Sequence, residues 1–212
     1  MGDLVRQQLR TGHTWVASIA SVVALVFSGY NFSQLQEDPQ TIVSLPLSLK
    51  MERWGESVSV FVQPTVATRF DTEDVEMVTT VRLRLRPRAA GTEPEFYWKQ
   101  NVSWWINRTA KVLDKTSMHY EFVADPAPFI VAQTEPKQPV MQFTTHTWKL
   151  APGHFDGTLT VHRASTRAPI ERPFCLVLSP QDVTVLTANN GWYEFRSDVP
   201  GRRGGGCFHW YE

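Results

Sequence analysis

The chain is poor in cysteine, with Cys175 and Cys207 the only two in 212 residues. Two cysteines exclude a disulfide-dense scaffold and any zinc ribbon built from two cysteine pairs. Charge of one dominant sign is also lacking. Lys plus Arg and Asp plus Glu each total 21, and a balanced chain offers no broad basic surface to nucleic acid. Catalytic signatures are missing as well. There is no G-x-S-x-G, S-x-x-K or H-E-x-x-H, the patterns that place a serine nucleophile or a zinc-binding histidine pair. His146, His154 and His162 recur every eight residues, whereas metal-binding histidines usually sit two to four apart. No catalytic residue, metal ligand or cofactor is assigned. A glycosidase-type pair of carboxylates stays open, because its two acids can be far apart in sequence.

One absence points to something present. Between Arg10 and Glu37 there is no Asp, Glu, Lys or Arg. Within that gap Trp15 to Phe32 is mostly apolar. As a helix it would rise about 27 Å, close to the hydrocarbon thickness of a bilayer. Trp15 at one end and Tyr30 and Phe32 at the other suit the membrane interfaces. Arg6 and Arg10 precede the segment, while Glu37 and Asp38 follow it. The positive-inside rule then predicts a cytoplasmic N-terminus over 1–13 and a single-pass transmembrane helix over 14–32 acting as a signal anchor. A linker follows over 33–40, then an extracytoplasmic domain over 41–212. A cleaved signal peptide ending near Val26-Phe27-Ser28 is the competing expectation. Ala20, Ala24 and Ser28 recur every four residues and form a candidate stripe for packing against a second membrane helix. The alternative is the ordinary frequency of Ala and Ser in such helices.

Beyond the linker the pattern changes to short alternating runs punctuated by Pro and Gly. Strands are expected at Val43 to Met51, Ser57 to Val66, Val75 to Arg86, Glu95 to Trp105, Met118 to Ala124 and Val140 to Leu150. Further ones are expected at Gly157 to Arg163, Ile170 to Leu178, Trp192 to Arg196 and Cys207 to Tyr211. The clearest places Val75, Met77, Thr79, Val81, Leu83 and Leu85 on one face, and Glu76, Thr80, Arg82, Arg84 and Arg86 on the other. One helix is expected near 180–188, with Ser179 as its cap, Pro180 in its first turn and Asp182 three residues after the cap. The fold class is therefore mainly β. Strand spacing predicts an antiparallel β-sandwich, which resembles the immunoglobulin-like class in general architecture only; the Cys-Trp-Cys pattern of immunoglobulin domains is missing.

Two features are candidate binding residues. Arg82, Arg84 and Arg86 form a ladder suited to an anionic surface, or serve as exposed charges that discourage edge pairing. Trp98, Trp104 and Trp105 lie in one short stretch, and adjacent Trp104 and Trp105 must face opposite ways if extended. An exposed Trp offers a face to a sugar ring or a protein partner. Cys175 and Cys207 would be bonded on an oxidising side of the membrane, or remain two small core residues. The leading expectation is a non-enzymatic binding or structural module at the cell surface, in contact with the bilayer and with a protein or an envelope polymer. The alternatives are an exported enzyme acting on an envelope polymer, or a subunit assembled through its membrane helix.

Overall fold

The computed structural model describes residues 18–33, 40–68, 75–89, 91–106, 118–132, 135–165, 168–188, 192–198 and 206–210. Helix α1 covers 18–33, and every one of its residues is exposed. The strands follow as β1 (Thr41–Ser44), β2 (Ser48–Trp54), β3 (Ser57–Val62), β4 (Thr65–Thr68), β5 (Glu76–Pro87), β6 (Tyr97–Ile106), β7 (Met118–Ala124), β8 (Phe129–Val131), β9 (Val140–Thr145), β10 (Gly153–Arg163) and β11 (Ile170–Leu178). Helix α2 (Pro180–Ala188) precedes β12 (Trp192–Arg196) and β13 (Cys207–Trp210).

Local chemistry sets several of these boundaries. Pro46 and Pro64 interrupt the two expected long runs, since proline cannot donate to a ladder. Each run therefore becomes two strands, β1 with β2 and β3 with β4. Gly55, at φ 59°, supplies the positive φ that the two-residue loop between β2 and β3 requires. Ser179 caps α2: its Oγ accepts the Asp182 backbone N–H at 3.1 Å, and Asp182 Oδ2 accepts the Ser179 N–H at 2.7 Å.

Among the described residues, eleven strands form one sheet in the order β7-β6-β9-β3-β2-β12-β13-β11-β10-β5-β8, and β1 pairs with β4 separately. All pairings are antiparallel except β11 with β13, which is parallel through Cys175–Cys207 and Leu176–Phe208. That joint links two antiparallel halves. Both halves send side chains into one core: Val60, Phe143 and Phe195 from one, and Leu83, Leu159 and Leu176 from the other. The sheet is thus curled into a half-barrel around its core. The expected sandwich of two separate, immunoglobulin-like sheets gives way to this continuous sheet, because the parallel joint ties the halves edge to edge.

The cysteines sit at that joint. Cys175 and Cys207 are disulfide-bonded, with Cα atoms 4.6 Å apart. Closing this loop stabilises the fold by about 3–4 kcal/mol on chain-entropy grounds. Gly157 of β10 faces Phe174 of β11, and a Cβ at Gly157 would lie 2.3 Å from the Phe174 ring. The missing side chain lets that ring lie flat over the strand.

Strand β5 departs from strict alternation. Val81, Leu83 and Leu85 are buried and Arg82, Arg84 and Arg86 exposed, as the pattern predicts. Before Thr79 the parity reverses: Glu76 and Val78 are buried, while Val75 and Met77 are exposed. The cause is a register shift opposite His162 and Arg163 on β10, a bulge that slips one residue and turns the strand over. Glu76, expected on the outer face, is instead buried and accepts from Ser165 Oγ at 2.8 Å with Arg163 3.8 Å away.

The expected membrane span is described only in part. Among the described residues no helix is long and apolar enough to cross a membrane. The described part of α1 rises about 24 Å, less than a bilayer core. Residues 14–17 of the expected span lie outside the described residues.

Two outcomes check this fold. Thiol labelling of the denatured, unreduced chain finds no free thiol; two reactive thiols would show an open joint. Gly157→Ala lowers stability in urea by about 1–3 kcal/mol through overpacking against Phe174, and an unchanged midpoint would place that ring elsewhere.

Candidate functional site

The two ends of the curled sheet approach each other at β5 and the start of β6. Backbone contact between them is a single antiparallel bridge, Arg84 with Glu95. Arg84 Nε also donates to Glu93 Oε1 at 2.9 Å. Beside this bridge a cleft of about 870 Å³ opens between Thr80–Arg84 on one wall and Glu93–Trp98 on the other, with Pro126 at its margin. Its volume is in the range of ligand pockets. Its walls combine guanidinium groups, carboxylates and aromatic rings. Tyr97 is 47% exposed, so one aromatic face remains open to a ligand.

The expected site residues divide among three places. Arg82, Arg84 and Trp98 meet in the cleft. Trp98 packs against the core, and its Nε1 donates to Asn101 Oδ1 at 3.2 Å. Arg86 lies in a second, polar hollow with Arg88, Glu93 and Asp156. There Arg88 donates through Nε and Nη2 to Asp156 Oδ1 at 2.9 and 2.8 Å. This bonding holds the Asp156 carboxyl below the usual carboxylate range. Trp105 is exposed, with its ring 5.1 Å from His119. Trp104 points to the other face. The three tryptophans therefore form no single patch, because Lys99 is an extra residue of β6 between Trp98 and Gln100 and turns Trp104 to the face opposite Trp98. Ala20, Ala24 and Ser28 lie exposed along α1.

Trp104 belongs to a cluster that sequence reasoning missed. Its ring is 5.2 Å from Phe61 of β3 and 5.2 Å from Trp192 of β12. In the sheet order β9, β3 and β2 separate β6 from β12, a span of about 19 Å if flat. The β6–β7 hairpin must therefore arch over the sheet face opposite the core. Beneath it Lys50 Nζ sits 5.0 Å from the Trp104 ring and 5.9 Å from the Trp192 ring, a cation held by two aromatic faces. Burial lowers the Lys50 pKa, and nearby Glu194 opposes that shift. Glu52 Oε1 accepts from Tyr120 Oη at 2.6 Å and from Gln142 Nε2 at 3.4 Å. Burial raises the Glu52 pKa, offset by the Tyr120 bond and by Lys99. Burial first, and then Glu52, raises the Tyr120 pKa. The only sequence signal for this cluster is that Lys50 and Glu52 alternate with Leu49 and Met51. Nothing in that alternation says the polar face is covered.

A third arrangement adjoins the cleft. Ser57 Oγ lies 2.8 Å from His146 Nδ1, and Tyr97 Oη lies 3.1 Å from His146 Nε2. A serine beside an imidazole is the start of a nucleophilic pair. Here a phenol, not a carboxylate, faces the second ring nitrogen. Among the described residues no group of three or more His, Cys, Asp or Glu side chains is placed to hold a metal ion.

The buried carboxyl predicts a pH effect. A carboxyl whose pKa is raised on folding costs stability as pH climbs from its unfolded value, about 4.3, through the raised one. Glu52→Gln keeps an acceptor for Tyr120 and removes that cost. The variant therefore gains on the wild type in urea unfolding as pH rises through this window, and the gap is constant above it. A variant that loses ground over the same window would show that the charged carboxylate is held favourably.

No known protein family, no curated protein and no solved structure matches this chain.

Proposed function

We propose that the chain is a membrane-tethered, extracytoplasmic binding module. Its N-terminal apolar helix is the anchor, and the cleft between β5 and β6 is the ligand site. The cleft is the observation that carries this. It brings Arg82, Arg84, Tyr97 and Trp98 from the two ends of the sheet order into one open concavity. Charged groups that orient a ligand beside aromatic faces that bury it are the usual make-up of a recognition site. Two further observations support tethering and export. The segment containing α1 carries no charge from 11 to 36, and the described residues of α1 are all exposed, so among the described residues no protein surface covers its apolar side chains. The Cys175–Cys207 bond suits an oxidising compartment outside the cytoplasm.

The Ser57–His146–Tyr97 arrangement favours a second reading, an exported hydrolase working at the rim of the same cleft. It ranks below the first because, among the described residues, a phenol and not a carboxylate faces the second nitrogen of His146.

Carbonate washing should leave the full-length chain in the membrane, and protease added to sealed cells should degrade the β-rich domain. A soluble mature chain beginning near Gly29 would replace the tether with a cleaved signal. A photo-cross-linking residue at Arg82 should capture a macromolecular ligand that the same residue at Thr187, on the exposed face of α2, does not. Fluorophosphonate labelling abolished by Ser57→Ala would reverse the order of the two readings.

A further inference from the structure

The cleft differs from an ordinary pocket in what bounds it. Strand β10 covers one edge of β5 from Val78 to Pro87. On the other edge β8 pairs only with Glu76–Val78. From Thr79 onward, the Arg84–Glu95 bridge is the sole backbone pairing on that edge among the described residues. The facing wall is alike: β9 covers one side of β6 from Tyr97, but β7 begins on the other side only at Asn101. The chain's own continuation cannot fill the gap. Residues preceding β8 would run on along β5, yet they include Pro126 and Pro128, which have no N–H to donate.

We infer that the free edge of β5 at Thr80–Leu83, between the β8 pairing and the Arg84–Glu95 bridge, takes up an extended peptide as an added strand, which deepens the binding-module reading and rests on it. An unpaired edge offers backbone donors and acceptors in a row, and an extended peptide is the ligand that satisfies them. Side-chain periodicity specifies the peptide further. Val81 and Leu83 point to the core and Arg82 to the outside. Residues of an added strand alternate in the same way. Its inward residues meet the apolar wall of Val81, Leu83, Phe96 and Trp98. Its outward residue opposite Arg82 meets a guanidinium that forms no ion pair among the described residues, whereas neighbouring Arg84 is already bound to Glu93. The occupant is therefore an extended segment alternating acidic and apolar residues. About four residues match the free Thr80–Leu83 edge, a length of roughly 13 Å.

Detergent-solubilised full-length protein and a fluorescent hexapeptide of alternating Glu and Val test this by polarisation. The peptide binds saturably. N-methylation of alternate amides, which removes N–H groups and keeps the side chains, weakens binding by about tenfold or more. Arg82→Glu, at an exposed position, keeps the wild-type circular dichroism and shifts preference to a Lys–Val peptide. Equal binding of the methylated peptide in both methylation registers would overturn strand addition. So would indifference of either peptide to Arg82→Glu, or edge-to-edge dimers in place of peptide binding. Those failures leave the tether and the cleft cross-links standing. A chain washed off by carbonate would instead end the tethered reading and leave peptide binding intact.

Discussion

Two residue pairs join β11 to β13, and the rest of the sheet depends on them. Cys175 lies opposite Cys207 and Leu176 opposite Phe208. A parallel pair cannot be closed by a hairpin and needs a crossover; here the crossover carries α2 and β12. So short a contact has few hydrogen bonds of its own, and the disulfide adds a covalent tie at the same place. Because inward side chains from both halves share one core, loosening this joint would expose both faces of that core at once. The phenyl rings of Phe174 and Phe208, 5.7 Å apart and nearly perpendicular, pack beside the joint, and Gly157 makes the room they need.

The two ends of the sheet have no comparable tie among the described residues. Where β5 approaches β6 there is one bridge and one exposed ion pair, and an exposed pair contributes little to stability. Curvature brings the two edges together, but the prolines before β8 and the late start of β7 leave them largely unpaired. The same curling that encloses the core thus produces the cleft. An unpaired edge is an aggregation risk, and alternating arginines along β5 are a common guard against it. In the strand-addition proposal the same arginines repel strands of like charge and attract an acidic one.

Aromatic content is divided between burial and display in a way that composition conceals. Trp104, Trp192, Tyr120 and Phe61 are used to hold the β6–β7 hairpin against the sheet. They enclose Lys50 and Glu52, whose shifted pKa values record the cost of removing charge from water. A hydrogen-bonded row of Gln100, Gln142, Ser59 and Thr144 fills the space between strands. Phe96, Tyr97 and Trp98 remain at the cleft, and Trp105 stands apart from it.

By itself the sequence determined the local features. Period-two alternation located β7, β11 and β12, and capping residues located α2, at their observed bounds, because side-chain direction and helix capping depend on residues a few positions apart. The buried Leu83 and exposed Arg84 were legible for the same reason. Arg82, Arg84 and Trp98 were legible as candidates, but not as neighbours, since they come from opposite ends of the sheet order. Only the tertiary structure decided the rest: the parallel joint, the bulge that buries Glu76, the hairpin that covers Lys50, and the cleft itself. The first three depend on contacts between strands far apart in the chain, and the cleft on the curl that brings the two ends of the sheet together. A single residue of register there moves a side chain from solvent to core, and periodicity within one strand carries no information about its partner.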